Sequence, residues 1–244
     1  MDLFDNGPRI LVEDAEGGIR YWPEFLPPAL AHTWFQQLRD GCHWQSARRP
    51  MYDRVVDVPR LLAWYALHEL PAGLPLGPML ERVQAMAPGG YTSVGLNLYR
   101  DGNDSVAMHN DTLHQLVPGQ PLALVSLGGA RRMNIRAKAG GRAFGVDLEP
   151  GSLLVMSHAS QTTHEHGIPK TTRPVPPRMS VVFRARPEVP QARDPWQVAR
   201  AAEARSTPAP SGAQAQQRRT GRSAHGPQPA LPSPQGRAPG GRAA

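Results

Sequence analysis

From about residue 90 the hydrophobic period of the chain switches from helical to two and holds for roughly a hundred residues. Alternating apolar and polar residues put one row of side chains on each face of a pleated strand. The segments that alternate are 93–100, 122–127, 132–136, 143–148, 152–157 and 179–185, each short, aliphatic or β-branched, and bounded by Gly, Pro or Asp. Short strands divided by turns, with few helices between them, predict a sandwich or jelly roll and argue against alternating βαβ units. No internal repeat and no phosphate-binding glycine loop occurs, and Gly128-Gly129 reads as a turn between strands.

The first ninety residues read differently. Residues 9–12 and 19–22 form two short strands around an acidic, glycine-containing turn. Pro27-Pro28 opens a helix with Leu30, Trp34, Phe35 and Leu38 on one face, ending near Gly41. A second helix is predicted over 76–87, with Met79, Leu80, Val83 and Met86 in a stripe, and Pro88-Gly89-Gly90 stops it. Between the helices, residues 44–66 interleave Arg48, Arg49, Arg54 and Arg60 with Trp44, Tyr52, Trp64 and Tyr65. Such a stretch suits a phosphodiester and stacked bases. It equally suits an exposed hairpin that sinks Trp64 and Tyr65 into the core.

Charge separates the chain into two parts. Of 27 basic and 20 acidic side chains in 244 residues, the segment 191–244 holds eight arginines against Asp194 and Glu203. That segment carries a net +6 and leaves 19 basic and 18 acidic residues elsewhere. The formal +7 is thus a property of the tail. From Pro187 onward the sequence is rich in Pro, Ala, Gly, Gln, Ser and Arg, and its low hydrophobicity predicts disorder. The single cysteine, Cys42, excludes an intrachain disulfide and a thiolate-rich zinc site. An acidic N-terminus without a basic, then apolar, run predicts no secretory signal. With no apolar stretch of membrane-spanning length, the expectation is a cytoplasmic monomer that leaves membranes alone.

The chemistry-bearing residues sit on the strands. His109-Asn-Asp111 presents an imidazole and a carboxylate two residues apart, on the same side of an extended chain. Such a pair makes up two-thirds of the facial triad that holds non-heme Fe(II). Three histidines, His158, His164 and His166, follow the strand at 152–157 as candidates for the third donor. Positions 178, 180, 182 and 184 share one face of the last strand, against Met179, Val181 and Phe183 on the other. Two arginines on one such face, Arg178 and Arg184, call for an anion, and a dicarboxylate fits.

Taken in order, Asn97-Leu-Tyr99-Arg-Asp-Gly, His109-x-Asp111, Gly151-Ser-Leu-Leu-Val-Met, His166-Gly-Ile-Pro and Arg178-x5-Arg184 resemble the AlkB family of Fe(II)- and 2-oxoglutarate-dependent dioxygenases. The resemblance covers residues 20 to 186. It implies a mainly β, α+β fold, a double-stranded β-helix (jelly roll) over 91–187 braced by N-terminal helices and a lid within 1–90, followed by a disordered basic tail at 188–244. It also implies His109, Asp111 and His166 as iron ligands, and Asn97, Tyr99, Arg178 and Arg184 as residues holding 2-oxoglutarate. The family's nucleotide-recognition lid would fall on Met51, Tyr52, Arg54, Trp64 and Tyr65 as substrate contacts. With Fe(II), 2-oxoglutarate and O2, the implied reaction is oxidative demethylation of N-alkylated bases in DNA or RNA. An apolar neighbourhood of Met108, Leu96 and Leu98 is expected to limit side reactions with water.

One departure stands out. DNA-repair members of that family carry an acidic residue two positions after the iron-binding aspartate, and here that position is Leu113. The departure bears on base preference and leaves open a protein, lipid or small-molecule substrate for the same chemistry. A non-catalytic jelly roll that holds nucleic acid through its basic tail is a third reading, and the complete ligand set argues against it.

Overall fold

A computed structural model describes residues 7–51 and 54–187, with side chains given outside 49–57. The alternating stretch folds as expected, into two facing sheets of a double-stranded β-helix. The larger sheet runs in the order β1-β2-β10-β7-β12-β5-β4-β3 and the smaller in the order β6-β11-β8-β9. In chain order the strands are β1 (Arg9–Val12), β2 (Ile19–Trp22), β3 (Gln45–Met51), β4 (Arg54–Ala66), β5 (Ser93–Tyr99) and β6 (Val106–His109). They continue with β7 (Leu122–Gly128), β8 (Arg131–Ala137), β9 (Phe144–Leu148), β10 (Leu153–Met156), β11 (His164–Ile168) and β12 (Arg178–Arg184). Four strands from the first ninety residues complete the larger sheet, so that part of the chain is built into the β-helix.

Two helices cover the outer face of the larger sheet: α1 (Pro28–Gly41) and α2 (Leu76–Met86). Pro28 stands in the first turn of α1, where a missing N–H costs nothing. Ala31, Trp34, Phe35 and Leu38 of α1 and Leu76, Met79 and Val83 of α2 are buried. Met86, expected on the α2 stripe, is exposed because the helix has already turned its last residue away from the sheet. A short helix that periodicity does not reveal, α3 (His158–Thr163), bridges β10 and β11 and is capped by Ser157, whose Oγ accepts the Ser160 N–H at 2.9 Å.

Strand alternation divides the interior into two. Val94, Leu96 and Leu98 of β5 and Met179, Val181 and Phe183 of β12 join the helices in one apolar core. Tyr99, Leu124, Val182, Leu154 and Met156 meet Met133, Ile135, Val146, Leu148 and Ile168 in a second core between the sheets. Leu96 and Leu98 therefore pack behind the sheet, and Leu98 does not supply the apolar surround expected of it, while Leu96 also borders the cavity. Gly128 ends β7 with a φ of 77°, and an added Cβ would stand 2.5 Å from the Pro177 carbonyl oxygen. Only glycine closes that turn tightly enough to seat the start of β12 beside it. Among the described residues no helix is long and apolar enough to cross a membrane.

Candidate active site

One end of the space between the sheets stays open as a cavity of about 450 Å³. The inward rows of three neighbouring strands line it: Arg60, Leu62 and Trp64 from β4, Gly95, Asn97 and Tyr99 from β5, and Arg178, Ser180, Val182 and Arg184 from β12. The smaller sheet contributes His109, Met133, His166 and Ile168. Leu62, Leu96, Leu124, Met133, Met156, Ile168 and Val182 supply apolar lining, so that of the expected Met108, Leu96 and Leu98 it is Leu96 that borders the cavity.

His109 and His166 are direct cross-strand neighbours of β6 and β11, and their ring centroids stand 4.6 Å apart. The His109 ring is oriented by a hydrogen bond between Nδ1 and the Ala107 carbonyl oxygen at 2.9 Å. Asp111 follows β6, and its backbone N–H donates to Gln161 Oε1 of α3 at 3.0 Å. Its carboxylate accepts two hydrogen bonds from Arg184, one from Nε and one from Nη2 at 3.3 Å. Burial pushes the Asp111 carboxyl up. The Arg184 charge and hydrogen bonds, aided by the two imidazoles, outweigh this and hold it down at about 2. Burial, with His109 and Arg184 nearby, pulls His166 down to about 4 against the opposing pull of Asp111. Asp111 is therefore a carboxylate and His166 a neutral imidazole at neutral pH, the forms that bind a metal.

Two imidazoles and one carboxylate on a single cavity wall fit the donor set for Fe(II). Among the described residues they are not gathered into a ready three-donor cluster, because the Asp111 carboxylate is turned onto Arg184. A carboxylate with several lone-pair directions can serve Arg184 and a metal together. His158 and His164 stand elsewhere: neither lines the cavity, and His164 Nδ1 lies 2.9 Å from Thr163 Oγ1.

Arg178 carries the strongest demand for a ligand. It is fully buried, its Nε donates to Ser126 Oγ at 3.2 Å, and its Nη1 and Nη2 have no hydrogen-bond partner among the described residues. Its guanidinium lies 5.1 Å from the Tyr99 ring centroid. Burial pulls this guanidinium below its ordinary value, with the Tyr99 hydroxyl group acting in the other direction. An unpaired buried cation is costly, so the site is built for an anion that arrives with two acceptor oxygens. Asn97 lines the same wall, its Oδ1 accepting from Arg60 Nε at 2.8 Å and its Nδ2 donating to Ser180 Oγ at 3.3 Å.

The expected substrate contacts divide. Trp64 lines the cavity, and its indole N–H is buried without a partner. Tyr65, one residue on, faces the helices. It packs on the outer core, its hydroxyl oxygen accepts the His43 N–H at 3.2 Å, and burial pushes its phenol up to about 12. Strand alternation makes the two neighbours opposites, which removes Tyr65 from the candidate substrate contacts. The side chains of Met51, Tyr52 and Arg54, and the predicted tail at 188–244, lie outside the described residues. Leu113 sits in a short 3-10 turn, Leu113–Gln115, and does not line the cavity, whereas Thr112 and Gln115 on either side of it do.

Sequence reasoning missed Ser126, Ser180, Gln161 and Arg186, and left Arg60 among a run of bases. Each acts through a partner 37 or more residues away. The inward face of β12 was the one signal that would have marked Ser180.

A family profile described as the 2OG-Fe(II) oxygenase superfamily matches residues 18–193. The chain is 32% identical to the human protein named DNA oxidative demethylase ALKBH2 over 179 residues, 64% of this chain and 69% of that one. It is 27% identical to the Mus musculus protein named alpha-ketoglutarate-dependent dioxygenase alkB homolog 3 over 183 residues. That alignment spans 67% of this chain and 64% of the mouse protein, so somewhat under two thirds of the latter is matched.

Proposed function

We propose, on the premise that this chain belongs to the 2OG-Fe(II) oxygenase superfamily and is AlkB-like within it, that it oxidatively removes alkyl groups from ring nitrogens of nucleobases in DNA or RNA. The observation that carries this reading is the buried, unpaired guanidinium of Arg178 in the same cavity as His109, Asp111 and His166. A cation with two free donors at one end and a metal donor set at the other suit a 2-oxo dicarboxylate that bridges them.

In this reading His109, Asp111 and His166 hold Fe(II), and Arg178 pairs with the distal carboxylate of 2-oxoglutarate. Bound iron with its cosubstrate supplies the oxidising chemistry, consuming O2 and releasing succinate and carbon dioxide. Asn97, fixed at both ends by Arg60 and Ser180, and Tyr99 shape the wall along which the cosubstrate lies. Arg184 keeps Asp111 ionised and fixes its carboxylate by two hydrogen bonds. Leu62, Met133, Ile168 and Val182 exclude water from the reacting end. Hydroxylation of an N-methyl carbon gives a hemiaminal on the base, which collapses to formaldehyde and the unmodified nitrogen.

A base must leave its stack, or be offered single-stranded, to enter a cavity between two sheets. Trp64 lines the wall along which the base would enter. The human and mouse relatives are named for this dealkylation of DNA and for the cosubstrate, which supports the reading.

The test is formaldehyde release from an oligonucleotide treated with a methylating agent, so that 1-methyladenine, 3-methylcytosine, 1-methylguanine and 3-methylthymine are all present. Formaldehyde and succinate are expected in equal amounts with Fe(II), 2-oxoglutarate and air, and neither from Arg178→Met. Succinate without formaldehyde, whatever nucleic acid is supplied, would turn the reading toward another substrate class.

A further inference from the structure

The buried side-chain polar atoms that lack a hydrogen-bond partner among the described residues are four in number: Trp64 Nε1, Arg178 Nη1 and Nη2, and Arg186 Nε. All four are donors, and all three residues line the cavity. Arg178 is accounted for by the cosubstrate carboxylate. Trp64 and Arg186 are not.

These two belong to the opposite end of the cavity. On β12, Arg178 lies across from Tyr99, whereas Arg184 lies across from Ser93, and Ser93 pairs with Ala66 just past Trp64. Six residues of strand separate Arg178 from Arg184. A dicarboxylate that spends one carboxylate on Arg178 and its 2-oxo acid end on the metal donors has no acceptor left for Trp64 or Arg186. Arg186, two residues beyond Arg184, is fixed by a hydrogen bond from Nη1 to Gln115 Oε1 at 3.0 Å and by its backbone N–H donating to Thr92 Oγ1 at 2.8 Å. Gln115 belongs to the turn that directly follows Asp111, so the free Nε of Arg186 sits at the metal-facing end.

The charge of the wall points the same way. Setting aside Arg60, which has partners of its own, Arg178, Arg184 and Arg186 line the cavity against one carboxylate among the described residues, Asp111. A divalent iron and a doubly charged cosubstrate cancel each other and leave that excess of positive charge in place. Alkylation at N1 of adenine or N3 of cytosine creates a cationic ring bearing an exocyclic amine, a donor. Alkylation at N3 of thymine or uracil, or N1 of guanine, leaves a neutral ring with a carbonyl oxygen beside the alkyl group. A cation carrying a donor would meet unpaired donors and like charge, whereas a neutral ring would bring the missing acceptor.

We infer that Arg186 and Trp64 set base specificity, selecting neutral, carbonyl-bearing alkylated bases over cationic, amine-bearing ones. This rests on the dealkylase reading above. Leu113 is consistent with it: the sequence places no carboxylate there to receive an exocyclic amine.

The test pairs two single-stranded oligonucleotides that differ at one base, 3-methylthymine against 3-methylcytosine. Full-length protein loaded with Fe(II) and 2-oxoglutarate is assayed for demethylation of each. Binding of each is measured anaerobically by fluorescence anisotropy. About tenfold preference for 3-methylthymine is expected in kcat/KM, with the same order in Kd, because a buried donor left unpaired is penalised on that scale. Arg186→Gln and Trp64→Phe should each shrink the ratio several-fold, and Arg186→Glu should bring it to one or below. A ratio between two substrates is insensitive to the fraction of folded protein. Preference for 3-methylcytosine, or a ratio unmoved by all three substitutions, would overturn the inference and leave the dealkylase reading standing. Turnover of neither oligonucleotide would overturn both.

Discussion

Two arginines, Arg131 and Arg178, lie over the Tyr99 ring, 5.7 Å and 5.1 Å from its centroid, and both are buried. Arg131 donates to three backbone carbonyl oxygens, those of Asp101, Asp104 and Pro169, at 2.8–3.0 Å. Arg178 has one hydrogen bond, to Ser126, and two nitrogens with none among the described residues. The same residue type at nearly the same burial thus serves two ends. Where the chain itself supplies the acceptors, the cation closes a loop. Where it withholds them, the cation waits for a ligand, and the cost of leaving it bare is the measure of how firmly that ligand is held.

The comparison can be broken most directly by removing both cations in turn. Arg131→Met should lower unfolding free energy by about 3–5 kcal/mol, since it strands three buried carbonyls, while the folded fraction still binds 2-oxoglutarate. Urea denaturation with and without cosubstrate reads both quantities. Arg178→Met should do the reverse. Cosubstrate affinity should fall at least a hundredfold by calorimetry, worth about 2.7 kcal/mol. The ligand-free protein should be unchanged or more stable by about 1–3 kcal/mol, having lost an unpaired buried charge. Equal destabilisation by the two substitutions would dissolve the distinction.

A smaller effect sharpens the structural side. Asp104 is buried beside Arg131, and its carboxylate accepts from the Arg100 backbone N–H at 2.8 Å and from Arg100 Nε and Nη2. Burial pushes its carboxyl up, but these bonds outweigh that and leave it below its ordinary value. A depressed carboxyl contributes stability that is fully present above the unfolded value and is lost as pH falls through the folded one. Asp104→Asn should therefore cost about 1–2 kcal/mol at pH 7 and progressively less below about pH 4 in acid-unfolding curves. A cost that stays constant down to pH 2 would mean the charge plays no part. Smallest of all, Ser126→Ala removes the hydrogen bond that Arg178 Nε makes, and cosubstrate binding should weaken no more than about fivefold.

How much of this was legible beforehand follows from the range of each interaction. The face of β12 was readable because period two is local: Met179, Val181 and Phe183 went one way, Arg178 and Arg184 the other. The same rule, applied without knowing which face of β5 met the helices, put Leu98 on the wrong side. It also separates Trp64 from Tyr65, which the sequence reading had taken together. α3 was invisible since six residues are too few to show a helical period. Gln161 and Arg186 depend on partners 50 and 71 residues distant, and nothing in a window of sequence announces such a bond.

The α3 bridge has a consequence for the order in which the molecule can be assembled. Ser157, which caps α3, also donates through its hydroxyl to Asp14 Oδ2 at 2.6 Å, across 143 residues. α3 in turn holds Asp111 through Gln161, and Asp111 meets Arg184 across another 73. Contacts of such separation form late, after shorter loops have closed. A chain emerging from synthesis therefore completes its donor set only when its first hairpin has returned to the tenth strand and its last strand has entered the sheet. Until then the histidines and the aspartate remain scattered along an unfinished sheet.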